Sequence, residues 1–154
     1  MKRKNNTYNR MFLYENILSE YKKVKGSCKN KNEIYNFGLN LNQNLLSALY
    51  KLYNNTYEFN KYRIFIIREP KYRLIMSENI EDKIVNHLFS KYVLSDTLDK
   101  NLIYSNVATR KNKGSRLAYD LFVKYTNKLI YSNKNIYCLK IDISKYFYNI
   151  SHKK

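Results

Sequence analysis

Asp142 closes a short apolar run, Ile136-Tyr-Cys-Leu-Lys-Ile-Asp142-Ile143, and an aromatic residue, Phe147, follows five positions later. A carboxylate delivered at a strand end is well placed to hold Mg²⁺, a hard cation that takes oxygen ligands. The side chain of Ile143 has no metal chemistry, so its contribution would be a backbone carbonyl. One carboxylate is too few for a two-metal centre, which needs at least a second to hold both ions. Taken by itself, Asp142 reads better as an ordinary surface residue at a strand terminus. Phe147 lies in Tyr146-Phe147-Tyr148. There it suits the wall of a sugar pocket, where a rigid ring excludes a 2′-hydroxyl by contact; alone, such a run reads better as core packing.

Two basic pairs precede this run. Lys71 and Arg73 sit on a β-rich segment, and Arg110 with Lys111 follows Val107-Ala108 in a stretch, 101–116, that holds no acidic residue. Guanidinium forks match phosphate oxygens and neutralise developing charge, so two such pairs could converge on a triphosphate. Gly114 would let that loop approach a strand or a phosphate closely. Any one of these cations, considered singly, is better read as solvated. His87 and His152 have no Cys or His partners at ligand spacing, which argues against a metal role for either.

The elements that must position these residues are legible from composition and periodicity. Across 154 residues, 44% hydrophobic and 16% aromatic content supports a real core and argues against a disordered tail. Lys and Arg number 29 against 12 Asp and Glu, a net charge of +17. That surplus favours a polyanionic partner, nucleic acid ahead of an acidic membrane surface. A Lys- and Asn-rich composition also arises simply from AT-rich coding sequence. Cys28 and Cys138 form neither a disulfide framework nor a metal cluster, and Cys138 reads as a small core residue. No apolar stretch reaches the roughly 18 residues of a membrane span and no signal h-region opens the chain, so a cytoplasmic protein without membrane association is expected.

Residues 1–31 carry nine Lys/Arg against Glu15 and Glu20 and read as a basic helical extension lying across the surface, with a short amphipathic helix (Met11-Phe12-Leu13, Ile17-Leu18, Tyr21) followed by the polar break Lys25-Gly26-Ser27. Residues 32–135 contain a helix with Leu41, Leu45, Leu46, Leu49, Leu52 and Tyr53 at helical spacing, then two β-rich runs around Glu69-Pro70 that predict an antiparallel hairpin over 62–76. Ser77 is a candidate cap for a helix whose apolar face runs Ile80, Ile84, Val85, Leu88, Phe89, Val93, broken at Ser95-Asp96. Ser115 is a candidate cap for another, with a buried stripe of Leu117, Ala118, Leu121, Phe122, Tyr125 and Leu129. Residues 136–154 give a strand buried on both faces, then the start of a helix. The expected class is α+β.

Singly these signals are weak; their order is not. Lys71-Tyr-Arg73-Leu-Ile, Glu81-Asp-Lys-Ile-Val-Asn-His87, Ser105-Asn-Val-Ala-Thr-Arg110-Lys-Asn-Lys-Gly114, Ala118 and the Asp142 run follow one another along the chain. From about Tyr57 to His152 this resembles the prokaryotic reverse transcriptases of group II introns, retrons and diversity-generating elements. The resemblance implies a right-hand polymerase, with residues 32–135 as the fingers and residue 136 onward as the first palm strand. It implies Arg73 and Arg110 as residues gripping the incoming dNTP, with Lys71 and Lys111 beside them. Asp142 is then the first catalytic metal ligand, Ile143 a backbone ligand, and Phe147 the sugar gate. Two Mg²⁺ ions, an RNA template and a primer complete the expected machinery.

The sequence departs from the family pattern in two ways. Ser151 stands where relatives often carry Asp before the histidine. The family's aromatic-x-Asp-Asp motif, its primer grip and its thumb have no counterpart, and Asp82, Asp96, Asp99 and Asp120 fall on fingers elements. The expectation is therefore a truncated polymerase, inactive by itself, whose apolar palm strand lacks neighbours. The rival readings are a non-catalytic RNA-binding module, with 17 tyrosines for base stacking, and a fragment that completes a polymerase in trans with a separately encoded palm and thumb.

Overall fold

Ile17, Tyr21 and Val24 recur four and three residues apart along the N-terminal segment, and this stripe is the centre of the fold rather than the underside of a surface arm. The structure, a computed structural model, describes residues 7–132, 135–146 and 149–151, the side chain of Asp96 excepted. It divides into two compact units, residues 1–103 and 104–154. The architecture is mixed α+β, helices with a two-stranded antiparallel sheet.

In the first unit, α1 (Thr7–Met11) and α2 (Tyr14–Ser27) are followed by α3 (Lys31–Leu39) and α4 (Leu41–Tyr53). Asn30 caps α3 by accepting from the Glu33 N–H, which satisfies one donor left open at a helix start. The polar run Lys25-Gly26-Ser27 forms the last turn of α2 instead of a break after it, and Cys28 is the cap. Next come β1 (Arg63–Ile67) and β2 (Arg73–Ser77), paired from Arg63 opposite Ser77 to Ile67 opposite Arg73. The predicted hairpin is present. Ser77 ends β2 instead of capping a helix: Asn79 caps α5 (Ile80–Phe89) by accepting from the Asp82 N–H at 2.8 Å.

Helicity does not stop at Ser95. A π-helical turn, Ser90–Leu94, carries α5 directly into α6 (Ser95–Leu98). Ser95, where a break was expected, opens α6, and two residues on Thr97 Oγ1 donates to the Val93 carbonyl at 2.6 Å.

The core joins Ile17, Tyr21 and Val24 of α2 with Ile34 of α3, Leu45, Ala48 and Leu49 of α4, and Ile80, Ile84 and Leu88 of α5. Two carboxylates are buried with it, Glu20 and Asp82, each 2% exposed. A buried carboxylate is costly unless paired and hydrogen-bonded. Glu20 Oε1 accepts from Lys23 Nζ at 2.6 Å and Lys91 Nζ at 3.0 Å, and Oε2 lies 3.7 Å from His87 Nδ1. Burial alone would raise this carboxyl; the hydrogen bonds from Lys23 and Lys91 outweigh it and hold Glu20 below its ordinary 4.5. A group lowered on folding stabilises the fold above its unfolded value and loses that contribution as pH falls through the folded one. Thermal stability should therefore drop below pH 4.5. In Glu20→Gln that acid limb should flatten, with neutral-pH stability lower by about 1.5 kcal/mol from the lost charge-assisted bonds. Melting temperature against pH for the two proteins checks both; an unchanged acid limb would refute the assignment.

The second unit contains α7 (Ser115–Ile130). Its apolar stripe is helical as expected but not buried, Phe122 being 61% and Leu129 48% exposed. Ser115 is the first helical residue, and Gly114 occupies the cap position. The strand expected over 136–142 is not formed: residues 135–143 belong to no ladder, and Tyr137, Leu139 and Ile141 are exposed. Cys138 is exposed rather than packed. A strand exists through its partner, because its backbone groups must be paired. Here β1 and β2 pair with each other, and no third strand occurs among the described residues. No helix among the described residues is long and apolar enough to cross a membrane.

Candidate functional site

Lys71 lies in the turn of the hairpin and Arg73 opens β2. Directly opposed residues of an antiparallel pair share a face, so the register puts Arg73 on one face with Ile67, Phe65, Ile75, Arg63 and Ser77. Lys71 and Arg73 are exposed, and neither forms an ion pair among the described residues. They are two exposed cations carried on one hairpin.

What fixes that hairpin is Asp82. Its carboxylate accepts from the Tyr57 hydroxyl at 2.6 Å, from the Asn60 backbone N–H at 3.0 Å and from Asn60 Nδ2 at 3.2 Å. Burial, then the adjoining Asp82 carboxylate, pushes the Tyr57 hydroxyl far above the usual tyrosine value, so it stays a donor. The chain entering β1 is thereby tied to the first turn of α5. A second tie is the ion pair between Arg63 of β1 and Glu33 of α3.

In the second unit, Arg110 and Lys111 occupy the expected loop. Arg110 Nη1 donates to the Asn106 carbonyl at 3.0 Å, and Lys113 Nζ donates to the Tyr104 carbonyl at 2.9 Å while lying 4.4 Å from the Tyr104 ring centroid. Lys113 thus braces the loop, whereas Lys111 is exposed. Thr109 and Asn112 hold φ of 56° and 58°, a left-handed conformation that costs a β-branched residue most. Gly114, at φ 149°, is there for its backbone conformation: a Cβ would meet nothing within 4 Å, so close approach to a neighbour is not the reason.

Asp142 and Ile143 are exposed and adjacent in a segment without regular structure, followed by a turn at Ser144 and Lys145. Phe147 lies outside the described residues. Acidic residues of the second unit are Asp120 and Asp142, and Asp120 Oδ2 is 4.0 Å from Arg116 Nε on α7. Among the described residues no three His, Cys, Asp or Glu side chains converge. Asp142 can supply one oxygen donor, but the residues present do not complete a two-ion centre. The hairpin pair belongs to the first unit, and the loop pair and Asp142 to the second.

Sequence reasoning missed both buried carboxylates, although each left a signal. Glu20 falls on the same helical face as Ile17, Tyr21 and Val24, a charged residue inside an apolar stripe. Asp82 stands three residues after Asn79, the spacing of a reciprocal helix-start motif. No family model matches this chain, and no curated protein matches it.

Proposed function

We propose that this chain provides the fingers and the first palm segment of an RNA-directed DNA polymerase of the prokaryotic reverse-transcriptase type. In the intact enzyme a primer 3′-hydroxyl would attack the α-phosphate of a dNTP opposite an RNA template. The observation that carries the reading is the order along one chain of Lys71 and Arg73, then Arg110, Lys111 and Gly114, then Asp142 and Phe147. In this reading Arg73 and Arg110 hold the triphosphate oxygens, with Lys71 and Lys111 adding charge. Asp142 and the Ile143 carbonyl are the first ligands of the Mg²⁺ pair, whose remaining carboxylates are not among these residues, and Phe147 faces the sugar. Mg²⁺, when bound, supplies charge stabilisation at the reacting phosphate.

The exposure of Arg73 on a tied hairpin supports this, since a phosphate clamp must be both accessible and fixed. Arg73→Ala should weaken Mg²⁺-dependent dNTP binding by about tenfold, the equivalent of one charge-assisted hydrogen bond. Lys128→Ala on α7, an equal change of charge, should leave it unchanged. Calorimetric or fluorescence titration with dNTP measures both, and equal affinities for wild type and Arg73→Ala would sink the assignment.

A non-catalytic RNA-binding module is the second reading, favoured by the net charge of +17 and by exposed tyrosines such as Tyr35, Tyr50, Tyr72 and Tyr137. Both readings expect salt-dependent RNA binding. They part on whether Asp142 matters to synthesis.

A further inference from the structure

We infer that the first unit contains a separate binding site for a nucleotide unit bearing a terminal phosphate monoester, in the cavity between the ends of α2 and α3, the hairpin and α5. The cavity measures roughly 790 Å³, within the range of about 300–1,000 Å³ usual for small-molecule sites. None of its residues is among the triphosphate, metal or sugar contacts proposed above, and the inference does not depend on the polymerase reading.

Charge argues for the phosphate. Lys29, Arg63 and Lys83 line the cavity against a single carboxylate, Glu33. Glu33 is already paired with Arg63, whereas Lys29 and Lys83 pair with no carboxylate among the described residues. The balance of these charged residues is two positive charges, matching a monoester, which carries about −1.5 to −2 at neutral pH. A phosphodiester, with one charge, would leave a cation unmatched. The start of α3 also opens here, at Asn30, adding the partial positive charge of a helix N-terminus to the same space.

Shape argues for the base. Phe65 supplies an aromatic wall on the hairpin face that also bears Arg63. Stacking on such a ring tolerates any base, because every base presents a π-face. Cations and an aromatic ring lining one cavity are what a nucleotide unit requires. Free nucleoside monophosphates and the 5′-phosphorylated end of a strand both present this chemistry.

The test uses residues 1–154 without Mg²⁺ and titrates three probes: adenosine 5′-monophosphate, a short single-stranded RNA with a 5′-phosphate, and the same RNA with a 5′-hydroxyl. The phosphorylated RNA should bind about tenfold more tightly than the hydroxyl form, and that preference should vanish in Lys29→Ala/Lys83→Ala. Phe65→Ala should weaken the phosphorylated probes at least about fivefold, as loss of one stacked base does. Lys22→Ala/Lys25→Ala removes equal charge from the exposed outer side of α2 and should keep the preference intact. Monophosphate binding as tight as the phosphorylated strand would identify a free nucleotide as the ligand; tighter strand binding would identify a strand end. The proposal is overturned if the 5′-phosphate confers no preference and the monophosphate does not bind, or if both double variants lose the preference equally. Competition by inorganic phosphate on the unmodified protein reads the same site without any substitution.

Discussion

Asp82→Ala should lower the stability of the first unit by about 3 kcal/mol, the largest stability effect of any single polar substitution proposed for this chain. The carboxylate is 2% exposed and accepts from Tyr57 and twice from Asn60. Hydrogen bonds to a charged group are worth about 1.5–3 kcal/mol, and removing the acceptor leaves the donors to bear their desolvation. Part of the loss is recoverable: the hydroxyl and the amide are half-buried or exposed and can reach water once released. Asp82→Asn retains one acceptor oxygen and should lose about half as much. Urea unfolding distinguishes these outcomes, with the midpoint falling and the slope unchanged if only stability is altered. A change below about 0.5 kcal/mol for Asp82→Ala would place Asp82 among ordinary surface positions. The effect should also be local, because Asn60 leads directly into β1. Amide exchange in residues 60–67 should rise in Asp82→Ala more than exchange in α4.

This tether shows where the sequence was readable and where it was not. The stripe of α5 was legible because Ile80, Ile84 and Leu88 repeat at the helical period and do enter the core. The hairpin was legible because two β-rich runs flank a Pro-containing turn, and its strands, Arg63–Ile67 and Arg73–Ser77, lie within one residue of the expected 62–76. Asp82 was not, since one acidic residue in a first helical turn usually serves the helix dipole alone. Its role depends on a hydroxyl 25 positions earlier in the chain. The core role of α2 was hidden for a related reason. Lys22, Lys23 and Lys25 give the segment a strongly basic face, and among the buried residues behind it, Ile17, Tyr21 and Val24, stands the charged Glu20.

The errors in the second unit have a different origin. Periodicity reports which side of an element is apolar, not whether anything covers it. The stripe of α7 has the expected spacing, yet Phe122, Tyr125 and Leu129 are all at least 48% exposed. The run from Ile136 to Ile141 is apolar enough for a central strand, but a strand also needs backbone partners, which a linear pattern does not specify. The candidate site divides the same way. The hairpin cations are held by tertiary ties that the structure makes explicit, whereas Asp142 rests on its place in the sequence.

Asp142→Ala is accordingly the decisive substitution. In a polymerase assembled from this chain and a palm-bearing segment, in one polypeptide or in trans, it should reduce templated DNA synthesis by about a thousandfold or more. Losing a ligand of the catalytic ions removes several kcal/mol of transition-state stabilisation, and about 4 kcal/mol corresponds to that factor. RNA affinity should change little, since removing one acidic residue raises a net charge of +17 by a single unit. The separation of the two effects is the point. A non-catalytic RNA-binding module has no synthesis to lose, and in a polymerase where Asp142 merely sits on the surface both quantities would stay within about twofold. Asp142→Glu sharpens the contrast further, because it preserves charge and oxygen donors but displaces them by one methylene. A metal ligand should tolerate that poorly, as Mg²⁺ demands near-ideal geometry, while an exposed surface carboxylate would be indifferent to it. Primer extension on a primed RNA template, run beside an RNA-binding titration of the same variants, gives both measurements.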